Sequence, residues 1–334
     1  MPSSSTTIPR ISVVMCTYNG ATYLAEQMES LLNQSLLPYE IIIQDDGSKD
    51  QTAEIATEYA QRYDIVQFYR HTGTPGINRN FFSAMHRATG ELIAICDQDD
   101  IWELDKLETQ VAALGDKLLV GGISRPFATD GTAVSFDSRV PNIDLLRMMY
   151  VGMMPGHTQL FRRELLTMLP ENTFFMYDLQ TQAYAAAAES IAYVPRVVVN
   201  QRRHLSAATY NAPTDRSHSI GNIVRSACES LRIYKALRPN IRNRFAQWED
   251  FLTKTKLDTP VVHDALRMAR LQQSRTLWGW LCLTAFCIKH RHRLFHARET
   301  RSLLAILRGA FFPISCATYY KYLLKDAKYK GTAP

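Results

Sequence analysis

The sequence predicts an α/β protein: a mostly parallel sheet flanked by helices, continued by a helical C-terminal region. Three observations carry that prediction. Apolar β-branched runs alternate with helix-period stretches through the first 125 residues, as in right-handed βαβ crossovers. Each of the apolar runs ISVVMC, EIIIQ and ELIAIC ends in a polar turn. From about residue 215 the pattern becomes purely helical, with breaks expected at Pro239, Pro260 and Pro313.

ISVVMC (11–16) reads as a buried strand, and Leu24, Met28, Leu31 and Leu32 then recur at helical spacing. EIIIQ (40–44) is a second strand, followed by a helix whose apolar face is Ala56, Tyr59, Ala60 and Tyr63. IVQFY (65–69), the helix NRNFFSAMHRAT (78–89) and ELIAIC (91–96) continue the alternation, and a helix is expected from Glu103. Residues 117–204 are more mixed, with short strands near 118–123, 157–162 and 191–199 between the helical pieces FRRELLTML and DLQTQAYAAAAES.

A chain of 334 residues with 46% hydrophobic and 21% charged residues is an ordinary globular composition. Six scattered cysteines without a CxxC pair suit free thiols in a reducing compartment better than a disulfide framework or a zinc site. The leading PSSSTTIPR is short and polar, and ISVVMC is too short for a signal segment, so a cytoplasmic chain is expected. Charge is uneven: the net +6 concentrates after residue 289, where only Glu299 and Asp326 oppose the basic residues, while the first 110 residues are rich in Asp and Glu.

In an open parallel sheet, ligands bind outside the carboxyl ends of the strands. Thr17, Tyr18 and Asn19 follow the first strand, Asp45 and Asp46 the second, and Asp97, Asp99 and Asp100 the fourth. One Asp after a strand is commonly a helix cap or turn residue. Two acidic clusters on one rim repel each other unless a cation sits among them, and hard carboxylate oxygens suit Mg²⁺ or Mn²⁺ rather than zinc. No GxGxxG follows the first strand and no GxxxxGK[ST] occurs, which removes the dinucleotide and P-loop readings.

ISVVMCTYNGATYL, EIIIQDDGSKDQT, GINRNF and GELIAICDQDDIWELDKL together resemble the nucleotide-binding half of inverting family 2 glycosyltransferases with the GT-A fold. DQDDIW looks most like bacterial rhamnosyltransferase-type members acting on cell-surface polysaccharides. The resemblance is close over 10–110 and weaker to about 205. It implies a nucleotide-sugar-binding half (11–110) and an acceptor-binding half of the same domain (111–210); composition and pattern add a disordered lead (1–10) and a helical, basic region (211–334).

By the same resemblance, Thr17, Tyr18, Asn19, Asp45 and Asp46 would hold the nucleoside of a dTDP- or UDP-linked donor. Asp97 and Asp99 take the DxD positions, the first near the ribose and both toward a metal. Asp100 reads instead as a cap of the helix expected at Glu103. Asn78, Arg79 and Asn80 have either a donor-side or a helix-start role. Asp178 takes the place of the catalytic base, though an Asp there also suits an N-cap; Tyr177 departs from the acidic or histidine residue that many members carry. Arg202 and His204, in an imperfect match to the family's ending, would close over the diphosphate or lie in a solvated basic loop.

The implied reaction is single-step inversion onto a hydroxyl of a cell-surface glycan or lipid-linked precursor. A sugar nucleotidyltransferase is the alternative enzyme, but its expected Gly-rich loop is missing from TYNGATYL. A membrane-associated, non-catalytic sugar-nucleotide scaffold is the other. LWGWLCLTAFCI (277–288) and LLAILRGAFFPI are each too short to span a bilayer. They read as core helices or as an interfacial segment, with Trp278, Trp280, Phe311 and Phe312 at headgroup depth on the inner face of a bacterial plasma membrane. Nucleic acid is not expected as a partner, since no recognised fold accompanies the charge.

Overall fold

The computed structural model describes residues 8–129, 134, 136, 138–152, 154–171, 174–204, 220–296 and 302–320, the side chains of 220–224 and 226 excepted. The expected disordered lead therefore lies mostly outside the described residues, as do Arg298, Glu299, Arg301 and the basic residues from Lys321 onward.

The chain runs β1 (Ile11–Thr17), α1 (Ala21–Leu32), β2 (Glu40–Asp45), α2 (Thr52–Arg62), β3 (Val66–Arg70), α3 (Ile77–Met85) and β4 (Leu92–Cys96). Then come β5 (Ile101–Trp102), α4 (Lys106–Leu114), β6 (Leu119–Phe127), α5 (Leu145–Met148), β7 (Leu160–Arg162), α6 (Leu165–Met168), α7 (Tyr177–Ala187) and β8 (Ile191–Arg202). The helical region is α8 (Ile220–Thr255), α9 (Pro260–Gln273), α10 (Leu277–Lys289), α11 (Arg291–Leu294) and α12 (Leu303–Ser315).

The strands form one sheet in the order β3-β2-β1-β4-β7-β6-β8-β5. Its first half is parallel, β1 pairing with both β2 and β4 and β2 with β3. β7 lies antiparallel between β4 and β6, and β5 antiparallel on β8, so the whole is mixed. Alternation along the parallel strands divides the core. Val13, Met15, Ile41, Ile43, Leu92 and Ala94 face α1, α2 and α4, whereas Val14, Ile42, Ile93 and Ile95 face α3, α7 and the C-terminal helices.

The helical region is built into that second layer. The Trp248 indole N–H donates to the Met149 carbonyl at 3.1 Å, and the ring packs 4.4 Å from Phe175. Phe312, for which the sequence leaves both a core and an interfacial reading open, is core: it is 2% exposed and meets Tyr150 edge-on at 4.8 Å. Trp278 is instead 74% exposed.

Several local expectations change. Pro260 opens α9 at its first turn, where no amide hydrogen is needed. Pro239 and Pro313 break nothing and sit inside α8 and α12. Pro239 is on an exposed face, so the carbonyl it leaves unpaired can meet water. The helix expected from Glu103 begins at Lys106, after the short strand β5, and its cap position is Asp105. Asp100 thus caps nothing. Leu303–Tyr320 is long and apolar enough to cross a membrane by length and composition, contrary to the short-segment expectation, but 39% of it is buried in the protein.

Candidate functional site

Parallel pairing aligns the carboxyl ends of β1, β2 and β4, with Thr17 beside Asp45 and Met15 beside Cys96. The acidic loop 97–100 therefore opens next to the loops after β1 and β2.

The first two loops are held by their own side chains. Asp45 is fully buried: its Oδ2 accepts the Gly47 and Ser48 amides at 3.1 and 2.9 Å, and its Oδ1 accepts the hydroxyls of Thr17 and Ser48. Gly47 sits at φ +86°, a conformation that costs glycine little. Asp46 bridges His71, at 2.7 Å, and the Gly76 amide, also at 2.7 Å. Tyr18 is exposed; Asn19, at φ +48°, accepts the Lys49 amide through its side chain. Gln98, which lay unassigned between the DxD carboxylates, latches the β1 loop: it accepts the Tyr18 amide at 2.9 Å and donates to the Tyr18 carbonyl at 3.0 Å. A Cβ on Gly20 would lie 2.2 Å from Gln98 Oε1, so glycine makes that approach possible.

The three carboxylates of the acidic loop take three different partners. Asp97 Oδ2 meets His157 Nδ1 at 2.9 Å. Asp99 Oδ2 meets His204 Nε2 at 2.9 Å. Asp100 is 1% exposed; its Oδ1 accepts the Arg202 amide at 3.0 Å, while its Oδ2 lies 3.3 Å from His157 Nδ1 without a hydrogen bond. One imidazole N–H cannot serve both Asp97 and Asp100, and Asp97 has it. The Arg202 guanidinium also donates to the Asp99 carbonyl at 3.0 Å and pairs with Glu26, over the rings of Tyr23 and Phe127. Arg202 and His204 are thus brought to the acidic loop, not left in solvent.

Electrostatics follow from this crowding. Burial, with Asp97 adding and His204 opposing, raises the Asp99 carboxyl above its ordinary value. Burial likewise raises Asp100, against the opposing pull of His157. Burial alone would lower His157, but the charges of Asp100 and Asp97 outweigh it and push the imidazole up. The two carboxylates thus favour the protonated form of the imidazole. Its Nε2 reaches Ser124 Oγ at 2.8 Å.

Asp178 lies in the first turn of α7; the cap position is Met176, so Asp178 is no N-cap. Its Oδ1 accepts the Leu179 amide at 2.8 Å. Its helix start is docked by Asn78, whose Oδ1 accepts the Tyr177 amide at 2.6 Å, and by Tyr177 stacking on Phe81 at 4.1 Å. Asn78 therefore has the helix-start role, though for a helix a hundred residues on; Asn80 bonds Gln44 within the core, and Arg79 is exposed. Burial first, with the Asp97 charge adding, pushes the Asp178 carboxyl up to about 6.

Asp97, Asp100 and His157 each place one ligand atom within 4.8 Å of the others, and among the described residues this is the group that could hold a metal ion. The unpartnered, buried Asp100 Oδ2 fits a bound cation, as does the oxygen-rich donor set. All six cysteines are unpaired, as expected.

Residues 12–169 match the model of glycosyl transferase family 2. That match spans just under half of the 334 residues, and over it the chain is similar to the family. EpsH of Bacillus subtilis (strain 168), provisionally named a glycosyltransferase, is 28% identical over 222 residues, covering 59% of this chain and 62% of that protein. EpsE of the same strain, named in the same way, is 38% identical over 107 residues, covering 32% of this chain and 38% of that one. The chain thus spans between 38% and 62% of the length of these two relatives. The crystal structure of S. aureus TarS 1–349 in complex with UDP-GlcNAc is similar with a TM-score of 0.54 at 16% identity, covering 95% of this chain and 92% of that one. The complex of the same protein with UDP gives 0.53 at 17% identity over 94% and 91%. At that identity the likeness is one of fold: a GT-A-like α/β domain with a helical C-terminal region.

Proposed function

We propose that the chain is a metal-assisted inverting glycosyltransferase, moving a sugar from a UDP- or dTDP-linked donor to a hydroxyl of a cell-surface glycan or lipid-linked precursor. The observation that carries this reading is the position of Asp178: a carboxylate of raised basicity, half-buried in the first turn of α7 and within the field of Asp97 and His157. The family 2 match and the UDP-GlcNAc seen in TarS support a nucleotide-sugar donor. A hexosyl and specifically rhamnosyl donor remains the reading of the DQDDIW segment.

In this reading Thr17, Tyr18, Asn19 and Asp46 line the nucleoside side. Asp45 acts beneath them, holding the 45–48 turn. Asp97 and Asp99, joined by Asp100, would hold Mg²⁺ or Mn²⁺, with His157 bracing Asp97. The chemistry such an ion supplies is Lewis-acid stabilisation of charge on the diphosphate leaving group. Arg202 and His204 keep the acidic loop closed and sit where that diphosphate would lie. Asp178 takes the proton of the acceptor hydroxyl while its oxygen attacks the anomeric carbon and the bond to the diphosphate breaks. No covalent intermediate forms, so the site needs no nucleophile of its own.

The whole reading is tested by incubating the purified chain and Mn²⁺ with UDP- and dTDP-sugars and following nucleoside diphosphate release. Release that stops with Asp178→Asn supports it; pyrophosphate-dependent exchange would identify a nucleotidyltransferase instead. Mn²⁺ titration of Asp99→Asn and Asp100→Asn separates the ligand sets: the larger loss falls on the carboxylate that binds the ion. Peripheral attachment to the inner face of a bacterial plasma membrane, with the lipid as partner, is part of the same proposal. It draws on the exposed Trp278, Leu277, Leu303 and Leu304.

A further inference from the structure

A second charged concavity lies far along the chain from the acidic loop, where α8 meets the start of α10. It is a cleft of about 450 Å³ whose lining includes Lys235, Arg238, Arg242, Arg275, Thr276 and Trp280, and no Asp or Glu lines it. That volume is within the range of small-molecule sites. Among the described residues, none of the four basic side chains is paired with a carboxylate. Arg238 spends its donors on neutral acceptors, Gln272 Oε1 at 3.2 Å and the Ser274 carbonyl at 3.1 Å. Arg242 reaches the same carbonyl at 3.5 Å, and its Nε is buried without a partner. Burial, with Arg238 and Arg275 adding, lowers the Arg242 guanidinium from its ordinary value. Like charges gathered in a concavity without a counter-charge are relieved by a bound anion.

We propose that this cleft binds a phosphate or diphosphate group. Guanidinium forks match phosphate oxygens two at a time. The first-turn amides of α10 open beside it; Thr276 satisfies the Gly279 amide, and those of Leu277 and Trp278 have no acceptor within the helix. Leu277 belongs to the cleft lining, and both it and Trp278 are 74% exposed. An apolar rim next to a phosphate site suits a lipid headgroup, whereas a free phosphate compound needs only the arginines. The inference rests on the cleft alone and not on glycosyl transfer.

The test uses the full chain in EDTA, with two probes: inorganic pyrophosphate by calorimetry, and sedimentation with phosphatidylcholine vesicles with and without phosphatidic acid. Arg242→Gln/Arg275→Gln should weaken pyrophosphate binding about tenfold or more, since each arginine supplies charged hydrogen bonds. Arg275→Gln alone, at an exposed position, keeps the test readable if the double variant does not fold. Leu277→Ser/Trp278→Ser separates the sources. Lost phosphatidic-acid binding with retained pyrophosphate binding supports a lipid headgroup, and retention of both supports a free phosphate compound. Binding of neither probe, or binding that the arginine variants leave unchanged, overturns the proposal.

Discussion

The acidic loop after β4 and the basic cleft at the start of α10 are both crowds of like charge, but they are resolved differently. Asp97, Asp99 and Asp100 receive cations and donors from elsewhere in the same chain: His157, His204 and Arg202. Arg238 and Arg242 receive neutral carbonyl and amide oxygens instead. The acidic corner is therefore a prepared site whose carboxylates are held in place by partners before any ligand arrives. The cleft keeps an unbalanced field, and its counter-charge has to come from outside. One arrangement suits chemistry, where groups must be held in place; the other suits capture.

The comparison can be broken at several points, and the largest effect is expected at Asp178. Asp178→Asn should lower the rate of transfer by about 10²–10⁴-fold, the usual worth of a general base, with donor affinity by calorimetry nearly unchanged. Near-normal turnover would remove Asp178 from the mechanism. Next is His157→Ala, which leaves Asp97 and Asp100 facing each other uncompensated. Breaking a buried pair in this way costs about 3–5 kcal/mol, read as a fall in the urea midpoint. Arg242→Gln in the basic cleft should do the opposite and leave the midpoint unchanged or raised. A destabilised Arg242→Gln would show that the cleft is balanced internally after all.

Asn78→Ala sharpens the positioning argument. Loss of the acceptor for the Tyr177 amide should cost about 1 kcal/mol of stability, as for other helix-start acceptors. It should lower kcat while the donor KM stays fixed; a change in KM alone would place Asn78 on the donor instead. The smallest effect is on pH dependence. Asp99, Asp100 and Asp178 have folded-state pKa values raised above those of the unfolded chain. Between pH 7 and 5 the folded protein therefore takes up protons that the unfolded chain does not, and stability rises as pH falls. The metal-free Tm should climb by a few degrees over that window, and saturating Mn²⁺ should flatten the climb. In transfer assays the sign reverses, because ionised Asp178 is needed and the rate falls below about pH 6.

Much of the fold was legible because its first half is locally encoded. The β-branched runs at 11–16, 40–44 and 91–96 became β1, β2 and β4 with shifts of one residue at their ends. Hydrophobic alternation of period 2 needs no knowledge of the partner strand. Legibility failed where a neighbour decides. Pro239 reads as a break until the exposed face that tolerates it is known. Phe312 reads equally as a core or an interfacial aromatic until Tyr150 is found against it. Gln98 carried no signal, since it acts through two long-range hydrogen bonds to Tyr18, and the helix that Asn78 serves lies a hundred residues on.

The sequence by itself determined the order of strands and helices, and it placed three carboxylates behind the fourth strand. It did not assign their tasks. Asp100 read as the cap of a nearby helix, yet it is a buried partner of residues 57 and 102 positions away, through His157 and Arg202. Only the tertiary structure decided that, and the reason is physical. A buried charge is tolerated only with partners, and its partners come from whichever segments the sheet brings alongside.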